Sequence, residues 1–387
     1  MINLYGLDRS GLETLFEEQG LQAFRGRQLM KWAYHQHRLD FAEMTDLPAR
    51  TRVWLAESAH FELPRIHEFK RSVDGTCKWL IDVGEGNLVE TVLIPDRGRN
   101  TLCVSSQVGC MLDCSFCSTG KQGFNGNLTP AFIVGQLVIA NQYLAERSEK
   151  VTNIVLMGMG EPLLNFDAML AATNVFKEDL AFGLSKRKVT VSTAGVVPGI
   201  YKLADTTDIS LAISLHAPTN ELRNELVPIN RKYPLEELKK ACQHYVDHLG
   251  ESRKLVIEYT LMKGVNDTHE HAVLLAKWLR DLRCKINLIP FNPFPASGYE
   301  RPNEKDIRNF QTYLIKAGYS TMLRTTRGED IDAACGQLAG QVKDRTKRQT
   351  RYLARVKAQE EEEKEEEKQE DNSPAPSSEN EGRSYAR

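Results

Sequence analysis

Cys110-Met111-Leu112-Asp113-Cys114-Ser115-Phe116-Cys117-Ser118-Thr119-Gly120 sets three thiols in a C-x3-C-x2-C array on one short loop. Thiolates gathered this closely serve to hold something soft, either an iron-sulfur cluster or zinc. The count of three decides what a cluster there would do. A 4Fe-4S cluster held by three cysteines keeps one iron open to a ligand from outside the protein, which turns an electron carrier into a catalyst. Zinc is the plainer alternative, with Cys103 as fourth ligand in a C-x6-C-x3-C-x2-C array. Structural zinc sites usually arrive as two pairs with a spacer, and this array is not so divided. An aromatic residue, Phe116, stands just before the last cysteine.

Outward from the loop, the chain reads as repeated strand and helix. Strands are expected at Leu102–Val108, Asn153–Met157, Lys188–Ser192, Ile209–His216, Lys254–Leu261, Lys285–Pro290 and Tyr319–Leu323. Amphipathic helices fall between them at Pro130–Leu144, Phe166–Phe176, Leu235–Leu249, His269–Leu282 and Glu304–Ala317. Such βα repetition implies a parallel sheet closed into a complete or partial barrel, with its active site at the carboxyl ends of the strands. The cysteine loop is expected to follow the first strand directly.

The expected strand ends carry groups suited to a bound cofactor. Gly160 and Glu161 lie in Met157-Gly158-Met159-Gly160-Glu161-Pro162, where glycine lets backbone approach a ligand and the carboxylate suits a cationic amine. Ser192, the run Ser214-Leu215-His216, and Asn292 end three further strands. A lone histidine such as His216 is more often a satisfied core residue than a ligand, and it is the shared location that lends these residues weight.

Ahead of the barrel, residues 1–60 read as a helical module, with helices at Arg9–Glu18, Arg25–His35 and after Asp46-Leu47-Pro48. Arg25, Arg27 and Lys31 beside Trp32 and Tyr34 suit a phosphate backbone with stacked bases, and equally a solvated helix face. Residues 61–99 read as a β-meander linking segment. Its last strand places Glu90 among apolar neighbours, where a carboxylate is costly unless paired or functional; a glutamate simply facing water is the other reading. The barrel is expected over 100–340, a basic extension over 341–357, and an acidic tail over 358–387 that is disordered or a lone charged helix.

Composition narrows the class. The net charge of −2 combines −7 in residues 358–387 with +5 in residues 1–357, a mild basicity that fits a polyanionic partner without demonstrating one. The first twenty residues contain no apolar run, and no stretch of 18 apolar residues occurs, so no membrane association and a cytoplasmic location are expected. Eight cysteines in that compartment are expected to be reduced, ligating or catalytic.

The cysteine loop with its aromatic Phe116 is similar to the signature of the radical S-adenosylmethionine (SAM) superfamily, where the open iron chelates SAM, and together with Gly158-Met159-Gly160-Glu161-Pro162-Leu163-Leu164-Asn165, Ser214-Leu215-His216-Ala217 and Asn287-Leu288-Ile289-Pro290-Phe291-Asn292-Pro293 it resembles the RlmN/Cfr family of radical SAM RNA methyltransferases. The resemblance runs from the N-terminal helices to about Leu338. It implies a partial (β/α)6 TIM-type barrel of the radical SAM kind with an RNA-binding helical module, a 4Fe-4S cluster on Cys110, Cys114 and Cys117, and SAM held by Gly160, Glu161, Ser192, Ser214, Leu215, His216 and Asn292. It further implies that Cys335 accepts a methyl group from one SAM. A second SAM, cleaved at the cluster, yields a 5′-deoxyadenosyl radical that takes a hydrogen atom from that methyl, and the methylene radical adds to an adenine carbon. Glu90 then removes a proton, and Cys103 resolves the adduct by forming a disulfide with Cys335. The implied substrates are adenines of 23S rRNA, in the peptidyl transferase centre, and of tRNA position 37, with an external electron donor such as a flavodoxin system and a monomeric protein. Methylation at adenine carbon 2 is the expected outcome, with carbon 8 as the alternative within the family. A zinc-containing RNA-binding protein without catalysis is the alternative outside it. Cys77, Cys242 and Cys284 are expected to be buried structural thiols.

Overall fold

A computed structural model describes residues 1–371, with the backbone alone described at 359, 360 and 362–371. Ten strands form one sheet: β1 (Arg65–Arg71), β2 (Cys77–Asp82), β3 (Leu88–Asp96), β4 (Arg99–Cys103), β5 (Asn153–Leu156), β6 (Val189–Thr193), β7 (Ser210–Ser214), β8 (Leu255–Leu261), β9 (Cys284–Pro290) and β10 (Thr321–Leu323). Their spatial order is their sequence order. β1 to β4 are antiparallel, and β4 to β10 run parallel.

The helices returning between the parallel strands lie at Pro130–Ala145, Phe166–Lys177, Val197–Thr206, Leu235–His248, His269–Trp278 and Glu304–Lys316. Every residue of β8 is buried, as expected of a central parallel strand covered on both faces. The sheet curls upon itself. Val92 and Ile94 of β3 face the same cavity as Ile289 of β9 and Arg324 just beyond β10, from far apart in the strand order. Arg327 reaches across to Asp96 at 3.7 Å. β10 does not pair with β1, so the barrel stays open.

Three features differ from the expectation. The first parallel strand ends at Cys103 instead of continuing to Val108. Beyond it, the Ser105 N–H donates to Gln136 Oε1 (2.8 Å), and those of Ser106 and Gln107 both donate to Met159 O (2.8 and 3.1 Å), so a side chain and a loop carbonyl replace the strand partner. Gln107–Gly109 then forms a separate ribbon with Phe124–Asn127, and this ribbon brackets the cysteine loop at both ends. Second, the meander is no separate linker, because β3 and β4 continue the barrel sheet and supply cavity wall. Third, packing does not stop at residue 340. Leu88 N–H donates to Gln341 O (2.7 Å), Lys343 N–H to Asn87 Oδ1 (3.1 Å) and Arg345 N–H to Asn125 Oδ1 (2.9 Å).

At the N-terminus, Arg9–Glu18 is capped by Asp8 Oδ1 on the Gly11 N–H (2.9 Å) and buries Leu12, Leu15 and Phe16. The second helix, Phe24–Met30, passes into a π-helical turn at Lys31–His35, and the third spans Ala49–Ser58. The aromatic half of the suggested basic-aromatic face turns inward. Tyr34 is buried edge-on to Phe182 (5.2 Å), and Trp32 donates to Asp46. Arg25 is tied to Gln28 and Asp46, and Arg27 to Glu13; burial removes Tyr34 from base stacking, while Trp32 stays half-buried.

Arg348–Asp371 is one continuous helix, the second of the two forms that the sequence allows for its acidic part, and strong intrinsic helix propensity of Glu and Lys accounts for it. The expectation of disorder over 372–387 lies outside the described residues. Among the described residues no helix is long and apolar enough to cross a membrane.

Candidate active site

The cysteine loop sits on an apolar shelf. Leu112 and Phe116 bury themselves with Ala194, Leu226, Val227 and Phe291, and the three cysteines pack against this small core. Ser115 fixes the loop from both sides, its N–H donating to Leu226 O (3.1 Å) and its Oγ accepting from Tyr299 OH (2.7 Å). Arg348 latches it from the C-terminal extension, donating to Gly120 O (3.1 Å).

Burial pushes the Cys110 thiol up to about 12, with Leu112 N–H opposing and the neighbouring Cys117 adding, and it raises Cys114 well above the ordinary thiol range. Thiols buried side by side become thiolates only against a positive centre, so the donor set fits a metal group. Among the described residues no three His, Cys, Asp or Glu side chains converge as a single ion requires. A cubane, with one cysteine on each of three irons, needs thiols set apart.

The thiols face a cavity of about 180 Å³ at the carboxyl ends of the strands. Gly160, Glu161, Ser192, Ser214 and His216 line it, together with Cys103 and Cys335. Glu161 is buried and pushed up to about 7 by that burial, although Ala194 N–H (2.8 Å) and Leu163 N–H (3.2 Å) donate to its carboxylate. An ammonium group placed beside it restores full ionisation. Gly160 has φ +100°, and a Cβ there would strike Gln107, so its glycine is required by the neighbouring chain as much as by any ligand.

His216 is held in the left-handed region (φ 59°), and its Nδ1 accepts the Thr260 N–H at 3.0 Å. Burial, with Arg223 adding, depresses it to about 3, so the ring is neutral with its proton on Nε2. It is thus both a satisfied histidine and a cavity residue.

Three expected site residues stand off the wall. Leu215 is fully buried, and its carbonyl accepts from Arg223 Nε (3.0 Å). Asn292 lies behind Cys335, with Nδ2 donating to Cys335 O (3.2 Å) and Oδ1 accepting from Thr326 (3.1 Å). Glu90, on the same face of β3 as Val92 and Ile94, is paired with buried Lys78 (2.9 Å) and accepts the Ala339 N–H (2.8 Å).

Cys335 rides on a strap, residues 328–345, that crosses the mouth. Asp330 accepts from Ser72 Oγ (2.5 Å) and Val73 N–H (3.2 Å), and Asp332 O accepts from Lys78 Nζ (3.1 Å). Gly336 O accepts from Ser118 N–H (2.8 Å) and Leu338 O from Thr119 Oγ1 (2.7 Å). Gly340 presses against Leu88 O, where a Cβ would collide. Cys335 is exposed, but the surface it exposes is cavity wall. Enclosure raises its thiol, with Arg324 opposing; Cys103 is pushed up to about 12 by burial, with Cys335 adding. Cys77, Cys242 and Cys284 are buried away from this cavity.

One residue was invisible in the sequence. Arg223, in Asn220-Glu221-Leu222-Arg223, looks like an exposed helix position and is fully buried. Its guanidinium donates to Leu215 O (3.0 Å), Asn230 Oδ1 (3.0 Å), Ala194 O (2.6 Å) and Ser214 O (3.2 Å), stapling two strand ends of the cavity to the turn that carries Asn230. Arg223→Met leaves four acceptors unpaired and is expected to cost about 3 kcal/mol or more in stability, read by denaturant unfolding, and to weaken SAM binding.

An open α/β barrel whose cavity at the strand ends joins a three-cysteine loop to small polar residues and a buried carboxylate defines a radical SAM enzyme. Residues 104–276 match the radical SAM superfamily model, and residues 2–61 match that of the ribosomal RNA large subunit methyltransferase N-terminal domain. A radical SAM methyltransferase from Sphaerobacter thermophilus superposes with a TM-score of 0.80 at 42% identity, covering 87% of this chain and 99% of that one. The dual-specificity RNA methyltransferases RlmN of Pseudomonas putida and Pseudomonas entomophila are each 55% identical over 344 residues, covering 88% of this chain and 90% and 91% of theirs. The chain belongs to the RlmN family of radical SAM methyltransferases. Its cofactors are a 4Fe-4S cluster and SAM, which ends the zinc reading.

Proposed function

We propose that this chain methylates carbon 2 of an adenine in 23S rRNA, in the peptidyl transferase centre, and of the adenine at tRNA position 37, with Cys335 as the methyl carrier. The observation that carries this reading is the meeting of five cysteines from distant parts of the chain, Cys110, Cys114, Cys117, Cys103 and Cys335, around one cavity. Carbon 2 of adenine is electron-poor and does not attack a sulfonium methyl, so ordinary SAM chemistry fails there. When bound, the cluster and SAM supply a 5′-deoxyadenosyl radical that removes one hydrogen atom from the Cys335 methyl group.

The chain's own groups do the rest. Cys335 holds the one-carbon unit between cofactor and base, its carbonyl fixed by Asn292 Nδ2 and that of the next residue, Gly336, by the Ser118 N–H. Glu90 accepts the carbon-2 proton, with Lys78 beside it to share the charge, and the adduct's unpaired electron passes back to the electron-transfer system that started the turnover as the ring regains aromaticity. The Cys103 thiolate attacks the Cys335 sulfur, so the S–S bond forms as the bond from sulfur to the product carbon breaks; that carbon keeps the bond's electron pair and takes a proton, which completes the methyl group. An external dithiol reduces the disulfide before the next turnover. The N-terminal module and the mildly basic body hold the RNA, and the target base turns out of its stack to reach the cavity. The cytoplasm, a monomer and a flavodoxin-type electron donor complete the reading.

The test is product mapping. The reconstituted protein, given SAM, reductant and unmodified 23S rRNA fragments or tRNA, is expected to yield 2-methyladenosine on nuclease digestion and mass spectrometry. Recovery of 8-methyladenosine instead selects the alternative regiochemistry.

A further inference from the structure

Below the cofactor cavity the barrel interior continues into a second, polar cavity of about 390 Å³. Glu258 of β8 and Arg324 border both. Glu258 is 3% exposed, and its Oε1 accepts from Asn287 Nδ2 on the adjacent strand (2.8 Å). Its Oε2 and Asn287 Oδ1 are buried with no partner. Two acceptors taken out of water and left without donors carry a full desolvation penalty, which a ligand with paired N–H groups would relieve. Among the described residues no carboxylate lies within ion-pair distance of the Arg324 guanidinium, although Arg324 also borders the small cavity beside Cys335. Glu258 and Asn287 on neighbouring strands and the cationic Arg324 thus line one cavity, with two acceptor oxygens tucked behind its wall.

A nucleobase edge that fills such a gap has an exocyclic amino group next to a ring-nitrogen acceptor. Adenine presents this pattern as N6–H2 beside N1. Guanine sets O6 against the two acceptors and is repelled. Cytosine shares the pattern but carries an oxygen where adenine has carbon 2.

We propose that Glu258, Asn287 and Arg324 form the subsite that reads the amino edge of the target adenine, with the Glu258 and Asn287 side chains turning their unpaired oxygens into the cavity to accept the two N6–H bonds and Arg324 donating to N1. This rests on the reading of the protein as an adenine methyltransferase and adds how the base is chosen and oriented. Carbon 2 adjoins N1, so it falls on the Arg324 side, where Cys335 and Cys103 stand; carbon 8 lies at the far end of the ring. A cationic hydrogen bond at N1 also draws electron density from carbon 2, which favours attack by a carbon radical next to sulfur. Burial raises the Glu258 carboxyl, with Arg324 and then Asn287 opposing, as befits an acceptor awaiting its donor. The adenine of SAM carries the same edge, so the test separates the two sources.

Stem-loop RNAs carrying adenosine, purine riboside (no amino group), 1-deazaadenosine or 7-deazaadenosine at the target position are methylated by the cluster-loaded protein, and kcat/KM is compared. Wild type is expected to lose roughly 10- to 100-fold on purine riboside and on 1-deazaadenosine, and less than about 3-fold on 7-deazaadenosine. Glu258→Gln is expected to lose a similar factor on adenosine and nothing further on purine riboside; Arg324→Met is expected to be insensitive to the N1 deletion. SAM affinity of both variants stays within about 3-fold of wild type. Equal losses on the two deaza substrates, additive losses in the variants, or a loss confined to SAM affinity would each overturn the subsite. The wild-type series decides even where a variant fails to fold. A wild type that forms no 2-methyladenosine from the adenosine stem-loop defeats the underlying reading instead, and is told apart by that control.

Discussion

Cys335→Ala is expected to abolish methyl transfer, by about 10⁴-fold or more, while cluster content and SAM binding stay at wild-type levels. The size follows from the role, because without the sulfur there is no carrier and no atom on which the one-carbon unit reaches the base. The intactness follows from the geometry. Cys335 is tied through its carbonyl to Asn292, and its neighbours Gly336 and Leu338 are tied through theirs to Ser118 and Thr119, so the strap is held by backbone groups that alanine keeps. The side chain exposes its surface to the cavity, so removing one sulfur leaves no closed void in a packed core. Iron and sulfide analysis, SAM equilibrium binding and mass spectrometry of digested RNA check the three parts. Methylation retained in this variant would refute the methyl-cysteine route.

That expectation rests on the family resemblance, whereas much of the fold was readable from the residues themselves. Glycine and proline breaks with β-branched runs located the parallel strands after the first to within a few residues, and N-capping residues such as Thr129 and Asn303 mark where helices begin. The cavity-lining residues were legible because an α/β barrel puts ligands at the carboxyl ends of its strands. What escaped was long-range. Gln136, Met159 and Lys78 act by reaching residues between 12 and 69 positions away, and no local pattern announces that a helix glutamine will end a strand or that a strand lysine will neutralise Glu90. Arg223 sits in a stretch whose local composition is that of a solvated helix; only the tertiary fold turns it toward three carbonyls. Tyr34 shows the converse, since a basic and aromatic sequence cannot tell which aromatic faces the core.

The second large effect concerns the other thiol at the cavity wall. Cys103→Ala is expected to yield protein purified with RNA covalently attached, because everything up to carbon–carbon bond formation proceeds and only the release fails. Cys103 ends β4 in register with Val92 of β3, and Thr91 Oγ1 donates to its carbonyl at 2.7 Å, so its position is set by sheet hydrogen bonds that alanine does not disturb. A small half-buried side chain is removed, and the stability change is expected to stay near about 1 kcal/mol. Turnover should fall to at most one event per molecule. The attached RNA would show as absorbance at 260 nm that survives denaturation and disappears on nuclease treatment, leaving a nucleotide mass on the peptide that contains Cys335. The double variant Cys103→Ala with Cys335→Ala should carry none, which separates covalent trapping from tight binding. Free protein with normal turnover would show that the cavity position of Cys103 serves packing alone, and that another group resolves the adduct.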